Sequence, residues 1–82
     1  MDSHTAALKG FQGENVVIRF LWGRQERKKN AFIKKLTGSK ILMEGLTDFS
    51  GRLYRVSFDK IIEIKSLENP EKLWRNEENG RI

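Results

Sequence analysis

The chain has no cysteine, a single proline and a single histidine in 82 residues. Without cysteine there is no disulfide and no thiolate metal site, so packing and hydrogen bonding must supply the stability, and a reducing compartment is compatible with it. His4 alone would have to serve any Cys–His or Ser–His–Asp arrangement. It stands next to a terminus, and an incidental side chain is the simpler reading. Glu14, Glu44, Asp48, Asp59 and Glu63 are scattered along the sequence. A curled sheet could bring Glu44 and Glu63 together, but solvated surface acids explain them more simply. Gly10-Phe-Gln-Gly13 lacks the preceding strand that a dinucleotide-binding turn requires. Neither enzyme activity nor a metal or cofactor is expected. No apolar run approaches the ~20 residues of a membrane span, and Met1–His4 offers no basic region followed by an apolar stretch. A cytoplasmic protein with no membrane partner is expected.

What the chain does have is placed positive charge. Between Arg19 and Lys40 there are eight basic residues and one acidic one, a local charge of +7 against a net +5 for the whole chain. The remainder is therefore slightly acidic, and the positive field is concentrated. A concentrated field of this sign attracts polyanions.

The apolar pattern is short and punctuated, which favours strands. Asn15–Trp22 is rich in β-branched and aromatic residues, with Val16, Ile18, Phe20 and Trp22 on one face at period two. Val17 and Leu21 lie on the other face, flanking Arg19. Residues 23–29 read as a polar loop and Asn30–Leu36 as a second strand, with a bulge or exposed end at Lys34-Lys35. Thr37-Gly38-Ser39 is a tight turn, and 40–46 a third strand in which Gly45 marks a bend. A hairpin loop at 47–51 leads to a strand over 52–57. One helical turn follows at Phe58-Asp59-Lys60, and a last strand over 61–67 turns Ile62 and Ile64 inward. Residues 4–12 can form a short helix capped by Ser3 and stopped by Gly13. Asn69-Pro70-Glu71 signals a second helix over 69–75, which Leu73 and Trp74 would anchor. Residues 76–82 read as a frayed tail.

A chain of this size makes one domain, here 1–82. The expected fold is mainly all-β: a small, strongly bent, five-stranded antiparallel barrel over 15–67 with short N- and C-terminal helices. Val16, Ile18, Phe20, Leu42, Val56, Ile62 and Ile64 are the expected core. The Val17–Leu21 face is expected to be covered by a terminal helix, through Leu8 and Phe11 or Leu73 and Trp74, or by a second chain, with the helices favoured.

The order of a helix, five bent strands and a helical turn before the last strand resembles the Sm-like small β-barrel. The stretch from Ile41-Leu42 to Ile61 also resembles the end of a WYL domain, which closes with an apolar, any, apolar, Asp, basic, Ile pattern. Val56, Phe58, Asp59, Lys60 and Ile61 match that pattern, while Ser39-Lys40-Ile41 stands where the family's Trp-Tyr-Leu would fall. The resemblance implies a small barrel, and for the WYL class a regulatory ligand sensor, some members of which bind nucleic acid.

Arg19, Arg24, Arg27, Lys28, Lys29, Lys34 and Lys35 are the candidate polyanion contacts, since Arg grips phosphate bidentately and Lys supplies mobile point charge. The plain alternative is a solvated, aggregation-resistant edge. Trp22 beside the basic stretch and Phe49 at a hairpin tip are candidates for base stacking or partner contact. The leading expectation is a non-catalytic module that binds the backbone of RNA or single-stranded DNA, or another polyanion. The alternatives are a protein-interaction or regulatory module acting through an edge strand and the terminal helices, possible as a homo-oligomer, and a ligand sensor of the WYL type.

Overall fold

The computed structural model describes residues 7–46 and 51–76. Residues 1–6, 47–50 and 77–82 lie outside the described set, and with them fall Ser3 as helix cap, His4, the 47–50 part of the hairpin loop and most of the expected tail. The described residues form one antiparallel sheet in the order β4-β3-β2-β1-β5-β6. Its strands are β1 (Asn15–Trp22), β2 (Gln25–Thr37), β3 (Lys40–Gly45), β4 (Leu53–Ser57), β5 (Ile61–Ser66) and β6 (Leu73–Arg75). The expected turn at Phe58–Lys60 is present as a single 3-10 turn between β4 and β5. The sheet is not closed: β4 and β6 are its two edges.

The sheet is rolled rather than flat. Six strands about 4.8 Å apart would make a broad, thin layer if flat, but the molecule measures 29 × 27 × 25 Å. One face thereby becomes an interior. Val16, Ile18, Phe20, Ile33, Ile41, Met43, Val56 and Ile64 meet there in a single cluster. Residues 7–9 are helical, and i→i−3 bonds from Gly10, Phe11 and Gln12 tighten the turn that follows. Leu8 and Phe11 are thereby delivered into the same cluster.

Four expectations are corrected. The stretch 23–29 is not a loop, because only Gly23 and Arg24 separate Trp22 from its cross-strand partner Gln25. Gly23, at φ +66, makes a two-residue hairpin turn whose twist matches the strands, and Gly38, at φ +59, does the same between β2 and β3. The polar residues that mimic a loop are strand residues lying beyond the core, where neither face needs to be apolar.

In β3 the buried apolar side chains are Ile41 and Met43, and Leu42 is only partly buried. Three consecutive apolar residues leave the phase open, and the pairing settles it. A register shift between Ile33 and Lys35, at the expected bulge, sets Ile33 opposite Met43 and Leu36 opposite Ile41.

The C-terminal helix over 69–75 is absent. Asn69 does cap a turn, accepting the Glu71 N–H on Oδ1 at 3.2 Å and the Lys72 N–H on its carbonyl at 2.9 Å. The chain then extends into β6, which satisfies the otherwise open edge of β5. Asn76 is buried rather than frayed, donating its N–H to the Ile62 carbonyl at 2.8 Å.

Nor do the described parts of the terminal segments cover the Val17–Leu21 face. Leu8 and Phe11 pack in the interior, and Trp74, level with Ile64 and Ile18 in the register, packs against it from β6. Leu73, level with Lys65 and Val17, stays half exposed on the outer face.

A polar clasp ties the first turn to the last. Lys72 Nζ donates to the Gly10 carbonyl and to Glu14 Oε2, and lies 5.0 Å from the centre of the Phe11 ring. The buried Ser66 hydroxyl donates to Glu14 Oε1 at 3.0 Å and accepts the N–H groups of Glu68 and Asn69. The Lys72 hydrogen bond holds the Glu14 carboxyl below its ordinary value of 4.5; partial desolvation works against it, and the Ser66 hydroxyl adds to it.

Candidate functional site

β1 and β2 continue past the packed interior, and their overhang builds a groove. On β1, Phe20 is the last residue of the inner face still buried, while Trp22, two residues on, is 48% exposed. Phe20 pairs with Arg27 and Ile18 with Lys29, so both cations emerge on the inner face of the sheet. Tyr54 arrives from β4, where Val56 two residues later is buried in the core. Phe20, Trp22, Arg27, Lys29 and Tyr54 together line a cavity of about 320 Å³.

The aromatic rings are ordered. Phe20 and Trp22 meet edge to face with centroids 6.1 Å apart and planes at 85°. Trp22 and Tyr54 repeat the arrangement at 6.1 Å and 87°. Edge-to-face packing fixes a ring while leaving part of its π-face open. Of the described residues that line the cavity none is acidic, and two, Arg27 and Lys29, are basic.

The other basic candidates are placed elsewhere. Arg19 lies on the outer face, its guanidinium gripping Glu26 Oε2 at 2.8 and 3.1 Å and standing 3.8 Å from Glu63. Glu63 also takes Arg75 at 3.0 Å. The hydrogen bond to Glu26 raises the Arg19 pKa further above its ordinary value. Its charge is thus committed to two carboxylates. Lys28, directly opposite Arg19 in the register, shares that outer face. Arg24 is exposed in the β1–β2 turn. Lys34 at the bulge pairs with Glu44 at 3.3 Å, and Lys35 is exposed next to it. Phe49 lies outside the described residues. The sequence cluster is therefore divided, with Arg27 and Lys29 in the groove with Trp22, Arg24 at its turn, and the rest on other surfaces.

Phe20, an expected core residue, also forms part of the groove wall, and Tyr54 joins it without having stood out in the sequence. The signal for Tyr54 was its position at the start of a strand, between Arg52 and Arg55, one step outward from the buried Val56.

Among the described residues no three His, Cys, Asp or Glu side chains gather to hold a metal, and no helix is long and apolar enough to cross a membrane. Comparison with protein-family models, with curated proteins and with solved structures gave no match.

Proposed function

We propose that this protein is a non-catalytic nucleic-acid-binding module that takes single strands, RNA or DNA, in the groove between β1, β2 and β4. The observation that carries this reading is the half-exposed Trp22 set edge-on between Phe20 and Tyr54, with Arg27 and Lys29 in the same wall. Stacking surface beside positive charge is what a single strand requires, since every base has a π-face and every linkage an anionic phosphate. A duplex hides its base faces, and among the described residues no helix is placed to enter a major groove. Among the described residues the cavity's ionisable side chains are two cations and a phenol, which suits holding an anion more than moving a proton.

The fold we propose for this module is a small, strongly bent barrel of the Sm-like class. The near-equal dimensions of the molecule and the contact between β1 and β4 side chains support that reading. A second reading is a protein-interaction module: β4 is an edge strand, and its Leu53 is 56% exposed.

The test is a polarisation titration with RNA, single-stranded DNA and duplex DNA across a salt series. Contact by Arg24, Arg27 and Lys29 with about three phosphates should give a log–log salt slope near −2 on single strands. Duplex should bind more weakly at every salt concentration. Absence of binding to all three at ~50 mM salt, where phosphate contacts are strong, would overturn the nucleic-acid reading in favour of the protein partner.

A further inference from the structure

The two edges of the sheet differ in what they offer a partner. We infer that β4 takes an extended acidic segment of another protein, which adds to the sheet as a further strand with its carboxylates facing Arg55 and Lys40. This goes beyond the nucleic-acid reading and does not depend on it, because it uses the backbone and outer face of β4 rather than the groove.

The backbone decides which residues face the open side. Gly45 donates its N–H to the Arg52 carbonyl at 2.9 Å, and Phe58 donates to the Ser39 carbonyl at 2.8 Å. Both pairs continue the β3–β4 register that sets Met43 against Tyr54 and Ile41 against Val56. Hydrogen-bonded pairs recur at every second residue of an antiparallel ladder, so Tyr54 and Val56 turn their backbone groups to β3. Leu53 and Arg55 turn theirs outward, and among the described residues no strand lies on that side. Backbone groups so placed are a template for an added strand.

The side chains of the edge define what that strand carries. Val56 is buried on the inner face, so Leu53, Arg55 and Ser57 lie on the outer one. Ser57 pairs with Lys40, and Arg55 with Leu42, which pairs in turn with Lys35. Arg55, Lys35 and Lys40 are exposed, and none of the ion pairs among the described residues engages them. Glu44, beside Leu53 in the register, is held by Lys34. Opposite charges on facing residues of neighbouring strands stabilise pairing, and like charges oppose it. The matching strand therefore sets an acid against Arg55, another against Ser57 within reach of Lys40, and an apolar residue against Leu53.

A second copy of this chain is the wrong occupant. Pairing two β4 strands along their full length sets Arg55 against its own counterpart, while β6, the other edge, is three residues long and carries Arg75. An edge blunted only against aggregation needs charge, but has no use for an exposed Leu53 beside that charge.

The experiment uses the full chain and a labelled peptide with blocked ends, Thr-Asp-Val-Glu-Thr-Ile-Thr. In antiparallel pairing its Asp, Glu and Ile share one face and fall opposite Ser57, Arg55 and Leu53. Polarisation should show saturable binding. Lys in place of both acids should weaken it at least about tenfold, as facing charges change from attraction to repulsion. Methylating the Glu nitrogen, which points at β4, should weaken binding about tenfold, whereas methylating the Val nitrogen before it, which points away, should change affinity less than about twofold. In Arg55→Glu the gap between the acidic and the Lys peptide should close. Equal affinity of the two methylated peptides would overturn strand addition and leave diffuse attraction. No saturable binding at ~50 mM salt, where charge attraction is little screened, would overturn the inference outright. Dimers of the free protein that Arg55→Pro disperses would assign the edge to a second copy instead. Single-strand binding in the groove is read by its own titration, and stands or falls separately.

Discussion

Trp22 and Tyr54 stand edge to face with ring centroids 6.1 Å apart, although two whole strands, β2 and β3, lie between their own strands in the sheet. In a flat sheet that separation would be about 14 Å of backbone, three strand spacings. The contact exists because the sheet rolls its inner face inward, and rolling turns two strand-end aromatics into opposite sides of one groove. The curvature that buries Ile18 and Val56 thus also assembles the candidate site.

Trp22→Ala tests the stacking surface. Affinity for single strands should fall about five- to a hundredfold, the equivalent of losing one base–aromatic stack. The melting temperature should change little, because the ring is half exposed and lies past the core. Equal affinity of the variant and the parent in a polarisation titration would remove Trp22 from the interface.

Arg27→Glu combined with Lys29→Glu should abolish binding, whereas Lys65→Glu together with Arg19→Gln should weaken it less than threefold at ~150 mM salt, where charges beyond a Debye length of ~8 Å are screened. Lys65 lies on β5 on the outer face, and the Arg19 charge is already engaged by Glu26 and Glu63. A similar loss in both double variants would mean diffuse attraction rather than a site.

The clasp predicts an acid-sensitive stability. The folded state holds the Glu14 carboxyl below its ordinary value through Lys72, so the unfolded chain takes up that proton first as pH falls. The Glu14 contribution is therefore fully present above the ordinary carboxylate range, and it is lost as pH drops through the lowered folded value. Melting temperatures measured between pH 7 and pH 3, on the acid side of the carboxylate range, should decline less steeply in Glu14→Gln than in the parent. Parallel curves would show that Glu14 does not report on folding.

Ending the chain after Lys72 removes β6. It takes Trp74 from the core margin and bares the β5 edge. The melting temperature should fall, and sedimentation should show self-association through the exposed strand. A monomer of unchanged stability would mean that β6 is dispensable. Trp74→Ala isolates the packing part, and should cost about 1–3 kcal/mol in denaturant unfolding, less than full burial of the ring would imply.

Strand identity was legible where one face had to be apolar and the next residue did not. Val16, Ile18 and Phe20 alternate with half-buried neighbours, and the structure buries all three. Lys34-Lys35 broke the alternation of β2, and a register shift is found there. Legibility failed where the core stops. Nothing in Gln25-Glu-Arg-Lys-Lys distinguishes a loop from a strand that has outrun the interior, because pairing through the backbone leaves no mark on side-chain polarity. It failed also at 69–75, where a genuine capping signal at Asn69 produces one turn before the open edge of β5 claims the chain. The site was half legible for the same reason. Trp22, Arg27 and Lys29 follow from charge and exposure, but the division of the basic cluster between two faces depends on strand register.

The unequal lengths of β2 and its neighbours have an evolutionary corollary. β2 runs for 13 residues against 6 for β3, and residues 25–29 are paired with β1 alone. That end of the hairpin is a cantilever: its backbone is held by one neighbour, while the side chains of residues 25–28 are exposed. Substitutions there can be sampled by drift at little cost to folding, so homologous chains sharing this architecture should vary most in what the overhang displays and least in the interior that supports it.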